Sequence, residues 1–443
     1  METNVRSMTT GSIWKSLVFF AIPIFIGNLF QQLYNTVDSL IVGNFLGKSA
    51  LAAVSSSGNL IFMLIGFLSG IATGAGVIIS RLFGAKDNQR LKLAVHTTVA
   101  FGLVSGVIMT VVGVTMCPII LKWMGTPDSV MSESISYLQT YFYGSLGFVM
   151  YNIFVGILQA VGDSKHPLYY LVFSSIVNLI LDIVFIEYFN SGVAGAAWAT
   201  IISQFASAFL CLYLLLKTDD VYKLSIKDIS FDHELLKEII AIGLPSGVQN
   251  SIIGFANVVV QSNINSFGDS AMAGYGAYTK IEGFGFLPIT SFTLALTTFV
   301  GQNLGAQKYE RCKKGANFGL ILSIVLAQSI GVLIFIFAPY LIKAFNSSPD
   351  VVTYGVDKAR SCCFFYFVLA YSHSLAAILR GAGKTTVPML VMLLCWCIIR
   401  VAFLTITIPI FNTINMVYIV YPLTWFLSSV CFFFYYHKVN WMK

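Results

Sequence analysis

The chain has 443 residues, of which 57% are hydrophobic, 14% aromatic and 10% charged, with a formal net charge of +7 and a mean hydropathy of +0.81. Soluble domains carry about 25% charged residues, so these figures exclude a cytosolic globular enzyme, a disordered chain, a fibrous repeat and a small disulfide-stapled secreted domain. What they leave is an all-α polytopic membrane protein, whose function must be read from the residues that interrupt the apolar pattern.

A helix needs about 20 predominantly apolar residues to cross the hydrocarbon core. Apolar runs punctuated by charges and turn residues predict twelve helices: 16–42, 51–80, 93–121, 134–160, 167–187, 193–216, 238–264, 271–303, 315–338, 354–379, 388–410 and 414–437. The first carries Asn28, Gln31, Gln32, Asn35 and Asp38 and is followed by no small-residue cleavage site, so it reads as a retained span rather than a signal peptide. With both termini in the cytoplasm, 19 of the 26 Lys and Arg residues fall in cytoplasmic segments. Five (Lys48, Lys122, Lys343, Lys358 and Arg360) fall outside, and Lys280 and Arg400 lie within spans. Cytoplasmic loops of membrane proteins are enriched in Lys and Arg, so this bias sets the orientation in a cell membrane. It also accounts for the net positive charge without nucleic acid.

The two halves repeat. A shift of 221 residues lays NFLGKSALA at 44–52 on NSFGDSAMA at 265–273, Gly84-Ala85 on Gly305-Ala306, Arg90 on Arg311, Leu158 on Leu379, Gly162 on Gly383 and Pro167 on Pro388. Pro23 and Pro245 match at 222. The expected organisation is a six-helix lobe over 1–216, a cytoplasmic linker over 217–237 and a second six-helix lobe over 238–443. Six is even, so the lobes are parallel repeats about a pseudo-two-fold axis along the membrane normal, an arrangement suited to alternating access.

Two sequence features carry no chemistry. GAGKTT at 381–386 resembles the end of a phosphate-binding loop, but the pattern needs a glycine where Ile378 stands and a preceding strand; no nucleotide is expected. The eight cysteines include no CxxC pair and read as small packing residues.

Ionisable residues inside spans are costly and mark function. The first helix carries Asn28, Gln31, Asn35 and Asp38 along one stripe, the fifth Ser174, Asn178 and Asp182, and the sixth Thr200, Gln204 and Ser207. Convergence of these stripes would make an all-oxygen site in the first lobe, suited to a hard cation; two carboxylates in a poorly solvated site can equally hold a shared proton. The alternative use of such polar stripes is interhelical hydrogen bonding. The second lobe has no acids at the matching positions, where Ile399 and Phe403 stand. It carries Lys280, Glu282 and Arg400 instead, which read as a second-lobe cavity cluster in which Arg400 faces inward and pairs with Glu282 or a polar cluster, while His373 reads as a packing residue. Pro23 permits a bend in the first helix.

These motifs resemble the multidrug and toxic compound extrusion (MATE) family over nearly the whole chain. They are Pro23 and Asp38 in the first helix, the glycine–alanine turns ending at Ala85 and Ala306, and the LQAVGD and LRGAGK turns. The NLILD of the fifth helix (Asn178 and Asp182) and Thr200 in GAAWAT most resemble the prokaryotic branch named for the DNA-damage-inducible F transporter. The resemblance implies secondary-active efflux of drug-like, often cationic compounds driven by H⁺ or Na⁺, with coupling at Asp38, Asn178, Asp182 and Thr200, no cofactor and a monomeric transporter. The rival readings are a flippase of lipid-linked oligosaccharide precursors, which calls for a strongly basic cavity, and a membrane-embedded enzyme, which calls for clustered rather than scattered histidines.

Overall fold

The computed structural model describes residues 7–123, 126 and 128–442, and among them every regular element is helical. In chain order the helices are α1 (Ile13–Ile41), α2 (Gly47–Ala85), α3 (Asn88–Trp123), α4 (Asp128–Tyr143 with Ser145–Ala160), α5 (Lys165–Ile183), α6 (Gly192–Lys217), α7 (His233–Asn265), α8 (Asp269–Gly305), α9 (Tyr309–Lys343), α10 (Pro349–Cys363 with Tyr366–Gly381), α11 (Thr386–Met392 with Arg400–Phe411) and α12 (Asn415–Lys438). Among the described residues ten helices are long and apolar enough to span a membrane. The bent pairs α4 and α10 supply two more. Most run several residues past the predicted spans, because polar and charged residues such as those of 88–92 and 233–238 sustain helix geometry beyond the apolar run that defines a span.

The repeat is visible in hydrogen bonds. Asp87 N–H donates to Leu82 O at the end of α2, and Lys308 N–H to Asn303 O at the end of α8; the preceding Lys86 and Gln307 both adopt φ 57. This is the left-handed helix ending in which the residue beyond the cap bonds back to an orphaned carbonyl. The turn after α4 is built likewise, with Asp163 N–H on Leu158 O and Gly162 at φ 99. After α10 the pair is Lys384 N–H on Leu379 O, with Gly383 at φ 71. The fourth helix of each half is bent, by 49° in α4 and 55° in α10. The π-helical segments break the repeat: Val42–Leu46 follows α1 and Val184–Tyr188 follows α5, but Leu393–Ile399 immediately precedes Arg400 in α11.

The chain forms two compact units, and their limits depart from the expected boundaries at 216 and 238. One contains Ile26–Gly243 and the other Met8–Phe25 and Leu244–Lys443. The linker and the first turns of α7 belong with the first unit. His96 accepts the Ser225 N–H at Nε2 (3.0 Å) while its Nδ1 faces Lys92 O (2.7 Å), and the Thr97 hydroxyl oxygen accepts the Asp232 N–H (3.0 Å). Leu235, Ile239 and Ile242 join the core formed by α2, α3, α4 and α6. At Gly74 of α2 an added Cβ would lie 2.4 Å from the Gly243 backbone, so α2 and α7 pack backbone to backbone, as small residues allow.

The first half of α1 goes with the second unit. Leu17, Phe20, Ala21 and Ile24 are buried in its core. Ahead of them, four consecutive carbonyls are held by cationic side chains: Arg311 donates to Met8 O, Thr10 O and Gly11 O, and Lys308 to Thr9 O (2.9 Å). Met8 N–H donates to Gln302 Oε1 (2.9 Å). Arg311→Ala removes the four bonds made by this guanidinium. Hydrogen bonds to charged groups contribute about 1.5–3 kcal/mol each when buried and less when exposed. Limited proteolysis should therefore cut the 8–12 segment markedly faster in the variant than in the wild type; an unchanged cutting rate would show that Met8 burial and the Gln302 and Lys308 bonds suffice to hold the segment.

Lys92 Nζ lies 2.7 Å from Asp228 Oδ2 in the linker, and that hydrogen bond holds the Asp228 carboxyl below its ordinary range. A carboxyl lowered on folding contributes stability that is full above its unfolded pKa and is lost as pH falls through the folded one. Amide-exchange protection of residues 222–232 should be flat above about pH 4 and fall in more acid solution. Lys92→Met should erase that step. Both side chains are about half exposed, so the effect is local.

Candidate functional site

The first unit brings the three predicted stripes together. Asp182 of α5 is completely buried and Asn178, one turn before it, nearly so, while Asp38 of α1 and Thr200 of α6 are half-buried. The carboxyls of Asp38 and Asp182 interact electrostatically with one another, and both act on the hydroxyls of Tyr34 and Tyr137. Asn178 Nδ2 reaches Thr200 Oγ1 at 3.5 Å, and the Thr200 hydroxyl donates to Ala196 O at 3.1 Å. The Tyr34 hydroxyl lies within reach of the Gln31 and Gln204 side chains. The helical periodicity explains the assembly: Gln31, Tyr34 and Asp38 occupy one face of α1, and Asn178 and Asp182 one face of α5.

The polar accounting at this site is one-sided. Asp38 Oδ1, both carboxyl oxygens of Asp182 and Gln204 Oε1 are buried without a hydrogen-bond partner in the protein, and all four are acceptors. A buried acceptor without a donor costs about 1–3 kcal/mol, and more when charged. What satisfies such a set is a proton shared between the carboxyls or a cation ligated by oxygens. Among the described residues no group of three or more His, Cys, Asp or Glu could hold a metal, so a bound cation would rely on two carboxylates supplemented by neutral oxygens such as those of Asn178 and Thr200. The π-helical segment Val184–Tyr188 begins two residues after Asp182, and Val42–Leu46 four after Asp38. Ile41, Val42 and Ile186 share one apolar cluster with Tyr137. Such π turns recur at functional sites.

In the second unit Arg400 faces the interior, fully buried, as its cost in lipid requires. Of the two expected partners, Glu282 and a polar cluster, it takes the cluster. Arg400 Nη2 donates to Thr424 Oγ1 (2.9 Å), and the guanidinium lies over the rings of Tyr421 (4.6 Å) and Trp396 (5.0 Å). Glu282 instead accepts the Tyr278 hydroxyl (3.0 Å); it feels Lys358 more strongly than Arg400. Lys280, two residues away, points off this face and is exposed, because a step of two on a helix turns by about 200°. His373 packs edge-on against Phe286 and Trp396.

Lys358 is the residue the sequence reading misplaced. Expected in an outer segment, it is fully buried in α10. Its Nζ lies 3.3 Å from the centroid of the Tyr421 ring and 5.5, 5.7 and 5.9 Å from those of Tyr418, Tyr275 and Tyr278. A signal for this cage was present. Tyr275, Tyr278 and Glu282 in α8 and Tyr418, Tyr421 and Trp425 in α12 share the spacing i, i+3, i+7, which puts each trio on one helix face.

A family model described as MatE matches residues 23–184 and 245–406, one copy in each half. The chain is 28% identical over 400 residues to the probable multidrug resistance protein YoeA of Bacillus subtilis, covering 88% of this chain and 86% of that protein. It is 29% identical to the probable multidrug resistance protein YpnP of the same organism, covering 89% and 88%. A solved structure described as the outward-facing conformation of a multidrug resistance MATE family transporter shares the fold with a TM-score of 0.92 at 24% identity, over 100% of this chain and 99% of that one. With the family model matched in both halves, the chain belongs to the MatE family of multidrug transporters.

Proposed function

We propose that this transporter is a secondary-active antiporter that exports organic, often cationic xenobiotics in exchange for H⁺ or Na⁺ by alternating access. We place both termini in the cytoplasm and take the working unit to be a monomer without a cofactor. The observation that carries this reading is the set of buried, unpartnered acceptor oxygens on Asp38, Asp182 and Gln204. A site whose unmet groups are all acceptors gains a proton or cation and offers nothing to an anion. Coupling requires that the ion bind the two access states with different affinity, since equal affinity shifts no equilibrium. Helix α1 supplies a means. Pro23 removes one intrahelical hydrogen bond ahead of Asp38, so a bend there changes the distance from Asp38 to Asp182 and with it the ion's affinity. Asn178 and Thr200 orient the carboxyls or complete the ligand shell.

The relatives' names as multidrug resistance proteins support a drug-like substrate for this chain. The decisive experiment reconstitutes the protein in liposomes and imposes an H⁺ or a Na⁺ gradient separately, against a panel of cationic dyes. Dye movement driven by one gradient and abolished by Asp182→Asn is the expected result. Movement that ignores both gradients would exclude ion coupling.

A further inference from the structure

The aromatic cluster of the second unit presents the opposite accounting. Around the Tyr421 ring, the buried atoms without a hydrogen-bond partner in the protein are Lys358 Nζ, Arg400 Nε, Arg400 Nη1 and Trp425 Nε1, and every one is a donor. Trp425 joins the cluster through its ring contacts with Tyr421 (6.0 Å) and Tyr366 (6.2 Å). The charges are also unbalanced: Lys358 and Arg400 are two cations, and Glu282 is the single carboxylate that acts on both. The hydroxyls that could have served as acceptors are engaged with one another, Tyr275 with Tyr421 (2.7 Å) and Tyr278 with Glu282 (3.0 Å) and Tyr366 (3.1 Å). The acceptor within reach on the same helix as Lys358 is the Cys362 thiol, which is weak.

We infer that the second unit holds a small monovalent anion, a halide or a carboxylate group, between Lys358, Arg400 and the Trp425 indole N–H. Three arguments converge on that class. An anion is acceptor-only, so it satisfies all the unmet donors at once, whereas water brings two further donors that would themselves need acceptors. One negative charge brings the Lys358–Arg400–Glu282 group to neutrality, and an uncompensated buried charge is strongly destabilising. The aromatic faces already surrounding both cations stabilise positive charge but accept no N–H in the plane of the guanidinium, so they do not replace the missing acceptor. This site lies entirely within one unit and does not depend on how the acidic site of the other unit is used.

The test uses the purified full-length protein in detergent micelles, with Na⁺ concentration and ionic strength held constant. Chloride, bromide or acetate replaces gluconate, which is too large for a closed cluster. The expected result is a saturable rise in Tm of several degrees with at least one of the three small anions. The rise should disappear in Lys358→Met and persist in Lys358→Arg. Chloride or bromide stabilising without acetate identifies a halide; acetate alone identifies the carboxylate of an organic solute. Because Lys358→Met removes a buried group and can fail to fold, bromide is also soaked into wild-type crystals, where an anomalous peak should appear beside Lys358 Nζ and Arg400. No anion-dependent Tm change together with no bromide peak would overturn the site. So would an identical anion response in a folded Lys358→Met protein, or a ¹⁵N lysine signal showing a neutral Lys358 amine in both chloride and gluconate.

Discussion

Asp38→Asn and Asp182→Asn should each leave the protein in the membrane at close to wild-type level while reducing gradient-driven efflux to background. The amide keeps the shape and neutral charge of a protonated carboxyl, so the buried surroundings of Asp182 tolerate it. Neither Asn can release a proton or balance a cation's charge. The double variant should be no worse than either single one, since both changes interrupt one ion cycle. Asn178→Ala and Thr200→Ala should weaken transport more modestly. The contact between them is long, at 3.5 Å, and Thr200 keeps its own bond to Ala196 O. Dye uptake into inverted vesicles, normalised to protein in the membrane, measures all five. Wild-type ion-driven efflux by the double variant would move the coupling site elsewhere, with Glu282 the first place to look.

Gly74→Ala should be among the most damaging single-methyl changes in the chain. The new Cβ would meet Gly243 Cα and N at 2.4 Å and Ile239 O at 2.9 Å, and these are backbone atoms that no rotamer change can move. Overpacking a well-fitted core costs about 1–3 kcal/mol even where side chains can adjust; here two helices must separate. We expect the yield of monodisperse protein on size-exclusion chromatography to fall several-fold and Tm to drop by many degrees. Gly276→Ala is the matched control, because an added Cβ there meets nothing within 4 Å. It should be neutral or slightly stabilising through helix propensity. Equal behaviour of the two variants would mean that the α2–α7 contact contributes little to folding.

The sequence by itself determined the membrane class, twelve spans, the two-fold repeat and the polar stripes of α1, α5 and α6. Each is written in local composition or period. An apolar run of span length has one stable use in a bilayer, and a residue's place on a helix face follows from its spacing alone. That is why Asp38, the Asn178–Asp182 pair and Thr200 could each be placed on the polar stripe of its own helix, their grouping into one site resting on the family resemblance, and why Arg400 could be turned inward on cost. Tertiary structure decided what spacing does not encode, beginning with which faces meet. Lys358 sits in a polar stretch, Tyr354 to Ser361, at the outer end of the predicted helix 354–379, where a lysine reads as facing the outer water. It becomes a core residue because α10 bends by 55° after Cys363 and lays that stretch against the tyrosine faces of α8 and α12. Lys280 and Glu282 are near neighbours in sequence, yet they part by most of a half-turn. The unit boundaries fall beside Pro23 and Pro245 rather than at the polar linker. Burial of Leu17 to Ile24 and of Leu235 to Ile242 is a contact between segments far apart in the chain, and a local pattern carries no record of it.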